Sequence, residues 1–108
     1  MLKQELAHLA IFNNLQGDEL DRIAPLLDLC FFQPDEVIFE QGQAAVHIYI
    51  LLQGEVLISY KPYDGPALTV ARILPGGVFG WSAALRRDVY TSAAIAVTKS
   101  EAICMSSL

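Results

Sequence analysis

The feature that most constrains this chain is its punctuation. Gly17, Gln33-Pro34-Asp35, Gln41-Gly42, Gln53-Gly54, Asp64-Gly65-Pro66 and Pro75-Gly76-Gly77 cut it into short pieces. Turn residues recurring about every ten positions predict many short strands, as in a sandwich, barrel or jelly roll. With 108 residues the chain has the size of one domain built on one core. It holds no internal repeat and no low-complexity tract.

Composition narrows the function classes. Hydrophobic residues reach 54% and charged residues only 18%, the reverse of a disordered chain. Seven basic residues face twelve acidic ones, for a net charge of −5. That balance lacks the electrostatic footprint of phosphate-backbone binding, so no direct nucleic-acid partner is expected. The apolar run Ile48-Tyr49-Ile50-Leu51-Leu52 is far shorter than the ~20 residues that span a bilayer. Lys3, Glu5 and His8 interrupt the place where a signal peptide keeps its apolar core. No membrane association and a cytoplasmic location are therefore expected. Cys30 and Cys104 stand 74 positions apart and read as two buried thiols packing as small hydrophobes. His8 and His47 sit in unrelated contexts, so neither a metal nor another cofactor is expected.

The period of the apolar residues changes along the chain. Leu20, Ile23, Ala24 and Leu27 follow helical spacing within Asp18–Leu27, with Asp18 and Glu19 suited to the first turn. Pro25 predicts a kink or an early end there. A second short helix is expected over Leu2–Leu9. From Leu29 onward, strands are predicted at Leu29–Phe32, Val37–Glu40, His47–Leu52, Glu55–Lys61, Ala67–Leu74, Tyr90–Val97 and Glu101–Met105. Gly80-Trp81-Ser82-Ala83-Ala84-Leu85-Arg86 breaks this pattern with helix formers and reads as one short inserted helix. The division is thus residues 1–28, a helical segment, and residues 29–108, a β-domain.

Pro75-Gly76-Gly77-Val78-Phe79-Gly80 leads directly into that helix. A glycine turn ahead of a helix start presents backbone N–H groups, a geometry that favours an anion. Taken alone, the same glycines read as a hairpin turn. The order of several motifs carries more. Ile11-Phe12-Asn13-Asn14-Leu15 precedes the first helix. Val37-Ile38-Phe39-Glu40-Gln41-Gly42 ends a strand in Glu-x-Gly. Tyr49-Ile50-Leu51-Leu52-Gln53-Gly54-Glu55-Val56 forms an aromatic-to-glycine hairpin. Ser92-Ala93-Ala94-Ile95-Ala96-Val97 follows the inserted helix. In this order and spacing, from about Leu9 onward, the chain resembles the cyclic-nucleotide-binding domain family of catabolite-activator-type regulators. The resemblance implies a mainly β fold: an eight-stranded β-roll, jelly-roll-like, with N-terminal helices and a short cassette helix.

The resemblance also implies a phosphate-binding cassette at Gly80, Trp81, Ser82, Ala83, Thr91 and Ser92. Two of these depart from the family pattern. Trp81 stands where the family has a Glu for the ribose hydroxyl, and Thr91 where it has an Arg for the cyclic phosphate. Two lost charge-assisted hydrogen bonds, at about 1.5–3 kcal/mol each, weaken cyclic-nucleotide binding by roughly 150- to 20,000-fold. Trp81 either fills the ribose space or lies outward as a lid or partner contact. Arg86 and Arg87 are the candidate substitute cations, with solvated turn residues as the other reading. Phe39, Ile58 and Val70 are the apolar positions that the family would aim at a base or sugar; their plain reading is core, since any β-roll must fill its interior.

No paired carboxylates, nucleophile elbow or His-nucleophile pair is recognisable, so the chain is expected not to be an enzyme. The expected function is a regulatory or sensor domain for a small anionic or nucleotide-like ligand that does not hold cyclic AMP or cyclic GMP tightly. The other reading is a ligand-free interaction or dimerisation domain. In the family, helices follow the last strand and cover apolar surface, whereas this sequence stops at Ser106-Ser107-Leu108. A homo-oligomer is therefore expected.

Overall fold

The structure is a computed structural model describing Arg22 and residues 24–106. The expected Leu2–Leu9 helix and half of Asp18–Leu27 lie outside the described residues. A 3-10 turn, Ala24–Leu26, contains Pro25, and β1 starts directly after it. The strands are β1 (Leu27–Phe32), β2 (Val37–Phe39), β3 (His47–Gln53), β4 (Val56–Tyr60), β5 (Leu68–Ile73), β6 (Val78–Phe79), β7 (Ala93–Ala96) and β8 (Ser100–Ser106). One helical turn, α1 (Trp81–Ala84), separates β6 from β7. All strand pairs are antiparallel, and they make two four-stranded sheets. One has the order β1-β8-β3-β6 and the other β2-β7-β4-β5.

The core lies between the sheets. Tyr49 and Leu51 of β3 point inward at period two, as do Ala94 and Ala96 of β7. The alanines take little volume, and aromatic rings fill the interior beside them. Phe39 stacks on Tyr90 with centroids 3.7 Å apart, and Tyr49 stacks on Phe79 at 4.9 Å. Such pairs stabilise by about 0.5–1.5 kcal/mol beyond their buried area. Burial pushes the Tyr49 hydroxyl well above its ordinary pKa, and Tyr90 and the two thiols add to the shift. Tyr49 therefore stays neutral and is a packing group.

Gly54 closes the β3–β4 turn at φ +96°, and a Cβ there would meet Ser100 Oγ and lie 2.7 Å from the Lys99 carbonyl oxygen. Only glycine fits that position. The Pro75-Gly76-Gly77 turn docks on β3 from the side. Gly76 N–H donates to the Leu51 carbonyl at 2.7 Å, and Leu51 N–H donates to the Gly77 carbonyl at 2.9 Å. These bonds hold β6, and with it α1, against the first sheet.

Two strand expectations are corrected. β6 has no counterpart among the expected strands, since two residues carry no readable alternation. Tyr90, Thr91 and Ser92, expected within a strand, instead precede β7. Tyr90 is held by its side chain. Its O–H donates to the His47 carbonyl at 2.6 Å, and its oxygen accepts from His47 N–H at 3.0 Å. Its backbone N–H donates to the Gln43 carbonyl at 2.9 Å, and its carbonyl accepts from Gly42 N–H at 2.8 Å. Tyr90→Phe keeps the ring and removes both hydroxyl bonds. We expect a loss of about 1–3 kcal/mol, read as a lower midpoint in thermal unfolding. An unchanged midpoint would show that the hydroxyl does not hold this segment.

Candidate functional site

Between the sheets and α1 opens a cleft of about 370 Å³, within the usual range of about 300–1,000 Å³ for small-molecule sites. Its apolar wall comes from Phe39 of β2, Ile58 of β4, Ala71 and Ile73 of β5, and Phe79 of β6. Its polar groups are the hydroxyls of Ser82, Thr91 and Ser92, and Tyr90 adds a ring. Among the described residues, no Lys, Arg, Asp or Glu lines it.

Gly80 makes the approach to this cleft sharp. It caps α1 at φ +84°, in the left-handed region, and a Cβ there would lie 2.9 Å from the His47 carbonyl oxygen. A side chain would force α1 away from β3. The close seat of α1 turns Ser82 inward, where it is buried. Ser82 Oγ accepts from the Thr91 N–H at 3.4 Å and lies 3.5 Å from Thr91 Oγ1. Two segments separated in the chain thus meet as a hydroxyl pair.

The structure brings most of the expected residues together. Phe39, Ile58, Gly80, Trp81, Ser82, Thr91 and Ser92 all line the cleft. Trp81 does so while remaining 55% exposed, so it stands at the rim rather than filling the interior. Ala83 is buried in the core, its N–H donating to the Gly80 carbonyl at 3.1 Å.

Two expectations need correction. Val70 is exposed and does not line the cleft. Ile58 pairs with Ala71 and Ser59 with Thr69, so Val70 is the unmatched residue of a β-bulge. The face shared with Ile58 and Val56 is that of their partners Ala71 and Ile73. Arg86 and Arg87 line a separate depression with Asp88 and Val89, which meets the cleft only through Thr91. The substitute cations are therefore outside the cleft. Arg72 of β5 is exposed and pairs with Glu55 at 2.8 Å on the surface.

Ala71, Ile73, Val78, Phe79 and Tyr90 complete the lining, and sequence reasoning did not single them out for it. For Phe79 and Tyr90 a signal existed: aromatic residues flank the inserted helix on both sides. For Ala71 and Ile73 the bulge concealed the register.

The family model of the cyclic nucleotide-binding domain matches residues 29–107. The chain belongs to that family. Acetyltransferase Pat of Mycolicibacterium smegmatis is 30% identical over 92 residues, covering 85% of this chain and 27% of that enzyme. A solved cAMP-binding acyltransferase of Mycobacterium smegmatis, a single-substitution mutant, superposes with a TM-score of 0.83 at 26% identity. That match covers 95% of this chain and 32% of the other. The regulatory subunit of a cAMP-independent protein kinase A from Trypanosoma cruzi, bound to guanosine, superposes at 0.86 with 23% identity. It covers 96% of this chain and 37% of that subunit, and at this identity it shows the fold alone.

These relatives correct the expectation that the chain stands outside enzymes. An acetyltransferase carries a segment similar to most of this chain, so a domain of this kind does occur within an enzyme. The chain spans about a quarter of that enzyme's length.

Proposed function

We propose that this domain is the regulatory unit of a larger enzyme of acyltransferase type, and that its cleft takes an uncharged nucleoside in preference to a cyclic nucleotide. The observation that carries the ligand class is the Ser82–Thr91 hydroxyl pair, 3.5 Å apart, at positions that the family resemblance assigns to the phosphate. Hydroxyls and a rim indole suit a ribose and a flat base. An anion brought here would lose water without gaining a cation, which is unfavourable. The net charge of −5 adds to the penalty. The kinase subunit from Trypanosoma cruzi, a structure bound to guanosine that shares this fold over 37% of its length, is in keeping with the reading. The acetyltransferase relative supports the enzyme context.

The test is calorimetry on matched pairs: guanosine against cyclic GMP and adenosine against cyclic AMP. Each pair differs in the cyclic phosphate, so base preference cancels. At least one nucleoside is expected to bind roughly tenfold or more tightly than its cyclic nucleotide, a gap of about 1.4 kcal/mol. A dissociation constant below about 10 μM for either cyclic nucleotide, near 7 kcal/mol, would overturn the reading.

A further inference from the structure

The sequence holds two cysteines, and the fold puts them side by side. Cys30 lies on β1 and Cys104 on its neighbour β8. In the register, Cys30 faces Ala102 and Asp28 faces Cys104, so the thiols are diagonal partners on one face. Their sulfurs are 2.7 Å apart. A disulfide bond is ~2.03–2.05 Å long, so side-chain adjustment of less than about 1 Å joins them. Both sit against the core beside Tyr49, which pairs with Cys104 across β3 and β8. Cys104 is 7% exposed, whereas Cys30 is half-buried.

We propose that Cys30 and Cys104 form a reversible intrachain disulfide that ties β1 to β8 under peroxide. Cys30, the more accessible thiol, reacts first. Its thiolate attacks one peroxide oxygen; the S–O bond forms, the O–O bond breaks, and hydroxide leaves to be protonated as water. The Cys104 sulfur then attacks Cys30 Sγ. The S–S bond forms, the S–O bond breaks, and the departing hydroxide takes the Cys104 proton as a second water. Two thiols and one hydrogen peroxide give one disulfide and two waters, with two electrons passing from sulfur to oxygen. Burial and the neighbouring thiol push Cys104 up to about 12, which fits a resolving role rather than first attack. A dithiol reductant reverses the step by exchange.

The test uses the full 108-residue chain, reduced and then exposed to hydrogen peroxide. Intact mass is read after alkylation in denaturant. The expected product is a monomer lighter by about 2 Da with no alkylatable thiol, restored by dithiothreitol. Because the bond closes a loop of roughly 75 residues in the unfolded chain, the thermal midpoint should rise by about 10–20 °C. Cys30→Ser and Cys104→Ser should each abolish the 2 Da product. In guanidinium chloride, where the second attack loses its native placement, the share of oxidised chains that give the intrachain 2 Da product should be lower. Addition of oxygen atoms in place of the mass loss, a chain-to-chain crosslink, or an equal share in native and denatured chains would overturn the proposal. The mass readings on the unsubstituted chain do not depend on either variant folding.

Discussion

Trp81→Glu combined with Thr91→Arg should raise cyclic AMP affinity above that of the unsubstituted domain, for which the proposed function expects little. Both positions line the cleft, one at the rim and one beside Ser82. The arginine would supply the missing cation for the cyclic phosphate, in a forked and bidentate form that suits phosphate. The glutamate would accept from a ribose hydroxyl. Two hydrogen bonds to charged groups, about 1.5–3 kcal/mol each, correspond to a gain of roughly 150- to 20,000-fold. Thr91 is exposed and Trp81 is 55% exposed, so neither change opens the core. Calorimetry with cyclic AMP reads the gain, and thermal unfolding checks that the variant is folded. A folded double variant without cyclic AMP binding would show that the shape of the cleft, and not its missing charges, excludes the ligand. Nucleoside affinity should fall in the same variant, because the rim indole is gone.

What the sequence made legible followed local chemistry. Turn glycines mark real turns: Gly42 and Gly54 both adopt positive φ, at +90° and +96°. Long strands with apolar alternation, such as β3 and β8, stand within a residue or two of their expected limits. The inserted helix is shorter than its helix formers imply, a single turn over Trp81–Ala84, because Arg86 adopts a left-handed φ of +59° and ends it. Motif order pointed to the cassette positions, and Gly80, Trp81, Ser82, Thr91 and Ser92 do meet at the cleft with Phe39 and Ile58. Contacts that depend on register were hidden. A bulge at Val70 reversed the expected parity of β5, and no periodicity argument can see a single unmatched residue. The meeting of Cys30 with Cys104 was hidden for a similar reason. It depends on β8 returning to pair with β1, and a separation of 74 positions carries no local trace of that pairing. The likeness to part of an acetyltransferase was illegible in principle, since the matched 27% of that enzyme need not carry the chemistry of the rest.

Phe79→Ala should be the most destabilising single substitution in the cleft wall. Phe79 belongs to a strand of two residues, so backbone pairing holds it weakly and its ring does most of the anchoring. That ring is 2% exposed, stacks on Tyr49 at an interplanar angle of 9°, and lies 6.3 Å from Phe39. Truncation removes the buried ring and leaves a cavity that joins the cleft. The expected loss is about 3–5 kcal/mol, against a total stability of about 5–15 kcal/mol for a domain of this kind. The thermal midpoint should fall by roughly 15–30 °C. Ligand affinity should fall with it, because Phe79 immediately precedes Gly80 and sets where α1 begins. Phe79→Leu serves as the control: it keeps most of the volume, so it should lose less than half as much. If the alanine variant unfolds within about 5 °C of the unsubstituted chain, the ring is not packed between Tyr49 and Phe39, and the cleft must be held by the Pro75-Gly76-Gly77 bonds to Leu51 instead.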